Sequence, residues 1–354
     1  MNTGSVAERG CRLASFRSLA ARRFRTALVL PLLAVASGTA SGQEAWRDWQ
    51  LYWENDSFVS RRYSSDEYYT NGIRLTLSRA PTATWGWARG LGSWWLGVLS
   101  ASGDYDTTSS LAIGQNLFTP GVITEFEVDP RDRPYAALLY TGARVDMNRQ
   151  DGRVQHSIEF DLGVMGPPAM GRQVQSGVHL LRKNRIPKGW DHQIGTEIGV
   201  NLLYAARRRS GSDHVDVTPQ AGLALGTTQT YATAGATLRV GWHMTGFPAS
   251  PIPWTAPPRG KARRRSFEVA LFAGIDGRYL LRNAYLDGSL IGGPPSVEKE
   301  PFVHDIRYGL TARVCSWRIT YSFVRRSKEF TPPPERGDGS QDFGSLSISR
   351  ELGW

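Results

Sequence analysis

Apolar and polar residues alternate along long stretches of this chain, and no other feature restricts its fold as tightly. Between Asp48 and Asp56, Trp49, Leu51 and Trp53 fall on one face, and Gln50, Tyr52 and Glu54 on the other. Side chains on a strand point to opposite faces in turn, so this is strand periodicity. The pattern returns with Ile73, Leu75 and Leu77 against Thr70, Arg74 and Thr76, and with Leu139, Ala143 and Val145 against Tyr140, Arg144 and Asp146. It recurs where His156, Ile158, Phe160 and Leu162 oppose Gln155, Ser157, Glu159 and Asp161, and where Ile194, Ile198 and Val200 oppose Glu197 and Asn201. Soluble sandwiches alternate as well. Here, however, many segments run about ten residues or more, with Leu, Ile, Val and Trp on one face and Arg, Glu and Asp on the other. That combination predicts an all-β fold, a transmembrane antiparallel β-barrel with an apolar outside and a polar inside.

Segments centred near Leu51, Leu75, Ile113, Tyr140, Ile158, Ile198, Gln220, Leu238, Leu271, Tyr308, Ile319 and Ile348 give about twelve strands, an even number as bacterial barrels of this kind require. The chain closes on an alternating segment, Ser345 to Trp354, whose one irregularity is Arg350 on the apolar face; near a membrane edge its guanidinium would snorkel to the headgroups. Trp85, Trp87, Trp94 and Trp95 crowd into one connection and suit an interfacial aromatic belt. With both ends in the periplasm, connections after odd strands face outward, and these hold Asp56 to Glu67, Phe118 to Arg133 and Gly166 to Trp190. In the last of these Pro167 and Pro168 suit a helix start, and Pro187 and Gly189 close the segment. A short helix between them would carry Gln175 and His179, four apart, on one face.

Composition excludes several classes. The chain has 354 residues, a net charge of +10 and a mean hydropathy of −0.35, with no apolar run long enough for a helical membrane span. Its two cysteines, Cys11 and Cys315, support neither a disulfide framework nor a cysteine metal site. Arg22, Arg23 and Arg25, the apolar run 27–36 and the small residues 37–42 read as a secretory signal, so residues 1–42 are expected to be removed and 43–354 to form the barrel. The run Arg263-Arg264-Arg265 resembles a nucleic-acid patch, but in a secreted barrel it is expected to be solvated or to anchor at the periplasmic side, and no nucleic-acid partner is expected.

The polar chemistry gathers on the outward rim. Glu54-Asn55-Asp56 and Tyr69-Thr70-Asn71-Gly72 become neighbours if the first two strands pair, offering carboxylate, amide and hydroxyl oxygens of the kind hard cations such as calcium take. A bound cation there would polarise an ester carbonyl. Gln115, and Asp132-Arg133-Pro134-Tyr135, flank the next outward loop; Arg133 either pairs with an anionic headgroup, whose geometry suits a guanidinium, or clamps its own loop through Asp132. His179 is the outward histidine nearest this set, and a neutral imidazole can take a proton from water. No Gly-x-Ser-x-Gly elbow and no nearby cysteine supplies a nucleophile, so water is the simpler choice.

Taken together, Glu54-Asn55-Asp56, Tyr69-Thr70-Asn71-Gly72, Gly114-Gln115 with Thr119-Pro120, Asp132-Arg133-Pro134-Tyr135-Ala136, Gly163-Val164-Met165-Gly166-Pro167, Gln173, Gln175, His179, Gly189-Trp190, Gln193 and Glu197 resemble the outer-membrane lipid A deacylases, the 3-O-deacylase family called LpxR. The resemblance runs through the first half of the mature chain. It implies a twelve-stranded barrel in the bacterial outer membrane, calcium dependence, and hydrolysis of the 3'-linked acyloxyacyl ester of lipid A within lipopolysaccharide, by a protein expected to be monomeric. Asn55, Asp56, Thr70 and His179 match the family's active-site positions, with His179 as general base and Asp56 as a cation-site or orienting carboxylate. Arg133, Gln115 and Gln175 are then candidates for substrate contact, and Asn55 and Asp56 for the metal. Two departures stand out: Lys183, Asn184 and Arg185 occupy positions where some members carry an acidic residue, and Glu125, Glu127 and Asp129 lie where the family has a basic loop. The competing readings are an outer-membrane phospholipase and a pore or structural barrel without catalysis.

Overall fold

The computed structural model describes residues 46–59, 68–248, 267–290, 293 and 295–352. The leader assigned to 1–42, the run Arg263-Arg264-Arg265 and the terminal Trp354 lie outside the described residues. Twelve strands account for most of the rest: β1 (Trp46–Asn55), β2 (Tyr68–Arg79), β3 (Tyr105–Thr119), β4 (Ala136–Arg149), β5 (Val154–Met165), β6 (Glu197–Arg208), β7 (Val215–Gly226), β8 (Gln229–Trp242), β9 (Phe267–Asn283), β10 (Phe302–Val314), β11 (Trp317–Arg326) and β12 (Gln341–Glu351). The pair Ser210–Gly211 continues β6 and meets the start of β7. Every expected strand centre falls inside one of these elements. Each strand pairs antiparallel with its sequence neighbour, and β1 pairs with β12 from Asp48↔Glu351 to Asn55↔Gly344, so the sheet closes on itself and no edge is left for lipid to meet.

The two faces divide as the alternation predicts. Ile198, Leu271, Ile275, Leu310 and Ile319 are exposed on the outside, while Arg74, Glu159, Asp216, Arg239, Asp276 and Arg307 are buried inside. Charges in a low-dielectric interior need partners. Inside the barrel Arg74 pairs with Glu159 at 2.6 Å, Arg144 with Asp146 at 2.6 Å, Arg239 with Asp216 at 2.6 Å, Arg307 with Asp276 at 2.9 Å and Arg326 with Asp305 at 2.8 Å. Nearer the loops, Tyr69, Phe118, Tyr140, Leu203, Tyr231, Val324 and Phe343 from strands all round the wall pack with Tyr285, from the connection after β9, into one apolar cluster.

Connections 56–67, 120–135, 166–196, 284–301 and 327–340 leave one end of the barrel with the turn 227–228; the turns 150–153, 209–214 and 315–316 leave the other, together with the two longer connections from Arg79 to Tyr105 and from Trp242 to Phe267. Outer-membrane barrels keep short turns on the periplasmic side and long loops outside, so the loop-rich end is the outer rim. Arg350 sits at the opposite end over the Trp317 ring, 5.2 Å from its centroid, where a cation reaches an interface. Among the described residues three α-helices decorate the barrel: α1 (Gly86–Val98), α2 (Gly171–Arg182) and α3 (Ala284–Asp287). The first was not expected from a segment so rich in glycine. The second is shorter than the prolines suggested. Pro167–Ala169 make a separate 3-10 turn, Met170 then adopts a left-handed conformation, and α2 begins at Gly171. It stops at Lys183, also left-handed, well before Pro187; there the Asn184 amide closes back on the His179 carbonyl at 2.9 Å, capping the last turn.

Candidate active site

Asn55 ends β1 on the same face as Trp49, Leu51 and Trp53, which places it on the outside of the wall. Trp53 Nε1 and Asn55 Nδ2 both donate to Asn71 Oδ1, at 2.8 and 3.3 Å, across the β1–β2 pair. The β2 strand runs straight through Asn71-Gly72, so this Asn-Gly pair is no hairpin turn. Asn55 Nδ2 also donates to the Thr70 carbonyl at 2.9 Å, and Asn55 Oδ1 caps the 3-10 turn Asp56–Phe58 by accepting the Ser57 amide at 2.9 Å and the Ser57 hydroxyl. Asp56 is thereby held as the first, buried residue of that turn. Thr70 Oγ1 lies 2.8 Å from Thr119 Oγ1, beside a register shift between Tyr69 and Asn71. Glu54 does not join them. One residue back along the strand, it points into the lumen, where the hydroxyls of Tyr52 and Tyr69 donate to its carboxylate.

The segment 166–196 folds over the outer face of β3 and β4. Leu117 and Ala137 of those strands pack with Ile123, Tyr135, Ala169 and Trp190, and Gln115 Nε2 donates to the Ala169 carbonyl at 2.6 Å. Gly171, Gln175 and His179, four apart, form the buried row of α2. Gln175 is fixed by Trp190, whose Nε1 donates to its Oε1 at 2.7 Å, while Gln175 Nε2 is buried without a hydrogen-bond partner. Gln115 and Gln175 therefore both hold the helix in place. His179 Nδ1 lies 2.5 Å from the Arg185 carbonyl oxygen. A carbonyl only accepts, so Nδ1 carries the proton and the lone pair of the neutral ring resides on Nε2. One turn on, Arg182 Nη1 donates to Ser57 Oγ at 3.1 Å. The Arg182–Ser57 contact brings the helix that carries His179 to the turn that carries Asp56, beside Asn55 and Thr70, at one corner of the outer rim.

Arg133 lies elsewhere. Its guanidinium is wholly buried, 3.2 Å from Glu329 and 4.6 Å above the Phe118 ring centroid. Burial lowers its pKa, and the adjacent Glu329 opposes that. The clamp of this loop is Asp132, which accepts from the Gly121 amide at 2.9 Å and the Arg133 amide at 2.7 Å. Glu329 escaped the sequence reading altogether. It stands 196 positions from Arg133, with no local pattern to mark it.

Among the described residues no three His, Cys, Asp or Glu side chains cluster to hold a metal ion. The donors beside Asp56 are oxygens of Asn55, Ser57 and the backbone. That set suits a hard cation in kind, with a single carboxylate, and Asn55 Oδ1 would have to exchange its Ser57 contacts for the ion.

The sequence profile of a family described as outer membrane protein LpxR matches residues 25–352. No curated protein sequence matches the chain. The fold is similar to LpxR from Salmonella typhimurium, with a TM-score of 0.67 and 20% identity over 86% of this chain and 99% of that one. The β domain of the Bordetella autotransporter BrkA follows at a TM-score of 0.42 and 12% identity, covering 88% of this chain and 100% of that one. With the family matched over nearly its whole length and the barrel closed at twelve strands, this chain belongs to the LpxR family of outer membrane proteins.

Proposed function

We propose that this protein is a lipid A 3-O-deacylase, removing the 3'-linked acyloxyacyl chain by attack of water on the ester. The observation that carries the reading is the His179–Arg185 contact, which puts the proton on Nδ1 and the basic lone pair on Nε2. Nε2 takes a proton from water as the oxygen adds to the ester carbonyl. Collapse of the tetrahedral intermediate expels the sugar oxygen, which recovers the proton from the imidazolium, leaving a free fatty acid and a hydroxyl. Asp56 orients this arrangement and, with Asn55, would hold calcium. That ion, when bound, would polarise the ester carbonyl. The position outside the wall lets a lipid of the outer leaflet approach sideways through the membrane. In this reading residues 1–42 are cleaved and the mature protein works as a monomer.

The test is acyl release from lipid A, followed by mass spectrometry, for His179→Ala and His179→Gln. Both are expected to fall by at least about a hundredfold, the lower end of general-base contributions, while the barrel still migrates faster on gels before heating. Wild-type rates in both variants would overturn the site. Release from glycerophospholipid and not from lipid A would instead make the protein a phospholipase.

A further inference from the structure

Helix α1 stands against the outside of the barrel at the inner rim. A Cβ on Gly92 would lie 3.1 Å from Thr107 and 3.3 Å from Met147, so the helix backbone rests directly on β3 and β4. Ala88 and Gly92 are buried there, and Trp95 meets Tyr204 of β6 edge-on at 5.1 Å. Thr107 shares its row with the exposed Leu111 and Ile113, which face lipid. The helix is therefore seated on the lipid-facing surface.

A second row runs beside the docked one. At 100° per residue Trp87, Leu91, Trp94 and Val98 line one flank. Trp87 is 53%, Trp94 60% and Val98 57% exposed. Arg89, the helix's charged residue, falls on the opposite flank. Trp85 stacks on Trp87 at 6.0 Å, and Arg79 lies 4.8 Å from the Trp85 ring, so a cation marks the edge of the aromatic patch.

The height decides what this flank meets. Helix α2 and its turn cover the same two strands at Leu117, ten residues up β3 from Thr107. At about 3.4 Å per residue and a tilt of about 40°, the two levels stand roughly 26 Å apart. That is the height of an apolar belt, about 25 Å. With α2 at the outer interface, α1 lies at the inner one, continuous with the belt.

We propose that the Trp87–Leu91–Trp94–Val98 flank of α1 is a membrane anchor, inserted at the headgroup–acyl boundary of the periplasmic leaflet and contacting its glycerophospholipids. Tryptophan suits this depth because its ring is apolar and its N–H polar. The anchor fixes the vertical position of β3 and β4, and hence of the segment that α2 occupies above.

The full mature barrel would be placed in vesicles of phosphatidylethanolamine and phosphatidylglycerol carrying bromine on the acyl chains near the headgroup. Fluorescence lost in the variant Trp87→Phe/Trp94→Phe, relative to the parent, reports these two rings. It should be blue-shifted, quenched by the brominated lipid and shielded from aqueous acrylamide. Quenching by acrylamide and not by bromine would place the flank in water and overturn the proposal. Shielding from both quenchers, with a dimer in detergent by sedimentation, would make the occupant a second copy and overturn it equally. The single variants Trp87→Phe and Trp94→Phe read the two positions separately if the double variant fails to close its barrel.

Discussion

Arg182 on α2 donates through Nη1 to the Ser57 hydroxyl at 3.1 Å, joining the helix that carries His179 to the turn that carries Asp56. The two residues are 125 positions apart, and Ser57 also donates to the capping oxygen of Asn55. Because the contact is exposed, its worth is at most about 1 kcal/mol. Arg182→Met is expected to lower acyl release by up to about fivefold, with no change in heat-modifiability. A loss as large as that of His179→Ala would mean that Arg182 meets the substrate itself.

Calcium dependence rests on one carboxylate. If Asp56 and Asn55 hold the ion, chelation should reduce hydrolysis to background and added calcium should restore it, while Asp56→Ala should abolish activity and its recovery together. The assay is acyl release from lipid A by metal-free protein. Full rates without calcium would exclude a catalytic cation.

Gly171 is the point where α2 touches the wall. A Cβ there would lie 2.7 Å from the Ala137 Cβ and closer still to the Trp190 ring. Gly171→Ala should cost about 1–3 kcal/mol by overpacking, and the helix, not the barrel, should yield. Activity is expected to fall while the unheated gel shift persists. Limited proteolysis of the segment 166–196 should become faster in the variant. Unchanged cleavage and activity would show that the helix docks with more slack than these contacts allow.

Acid should loosen the outer loops through Glu329. Burial alone would raise its pKa, but Arg326 and then Arg133 outweigh that and hold its carboxyl below the ordinary value. A depressed carboxyl contributes stability that is present above the unfolded value, about 4.3, and lost as pH falls through the lower native one. Hydrogen exchange in 120–135 and 327–340 should therefore speed up below about pH 4. Glu329→Gln should bring that loosening to neutral pH, since removing one partner of a buried pair costs about 3–5 kcal/mol. The same exchange measurement checks both statements; a flat profile in the parent would show the pair contributes nothing.

The barrel was legible in the residues because lipid outside and ion pairs inside impose a period of two on every strand, and a local pattern suffices to read it. All twelve centres, from Leu51 to Ile348, came from that period. The residues of the candidate site were singled out by resemblance, and the meeting of Asn55 with Asn71 was legible from simple pairing of β1 with β2. The same period turns Glu54 into the lumen and Asn55 to the outside, although the two stand together in one motif. Two things were decided only by the tertiary structure. Helix α1 forms from a glycine-rich segment of poor intrinsic propensity, because Gly92 lets it lie close on Thr107 and Met147. Arg133 is paired by a glutamate 196 residues away, a contact that exists only once the barrel closes and that no local spacing records.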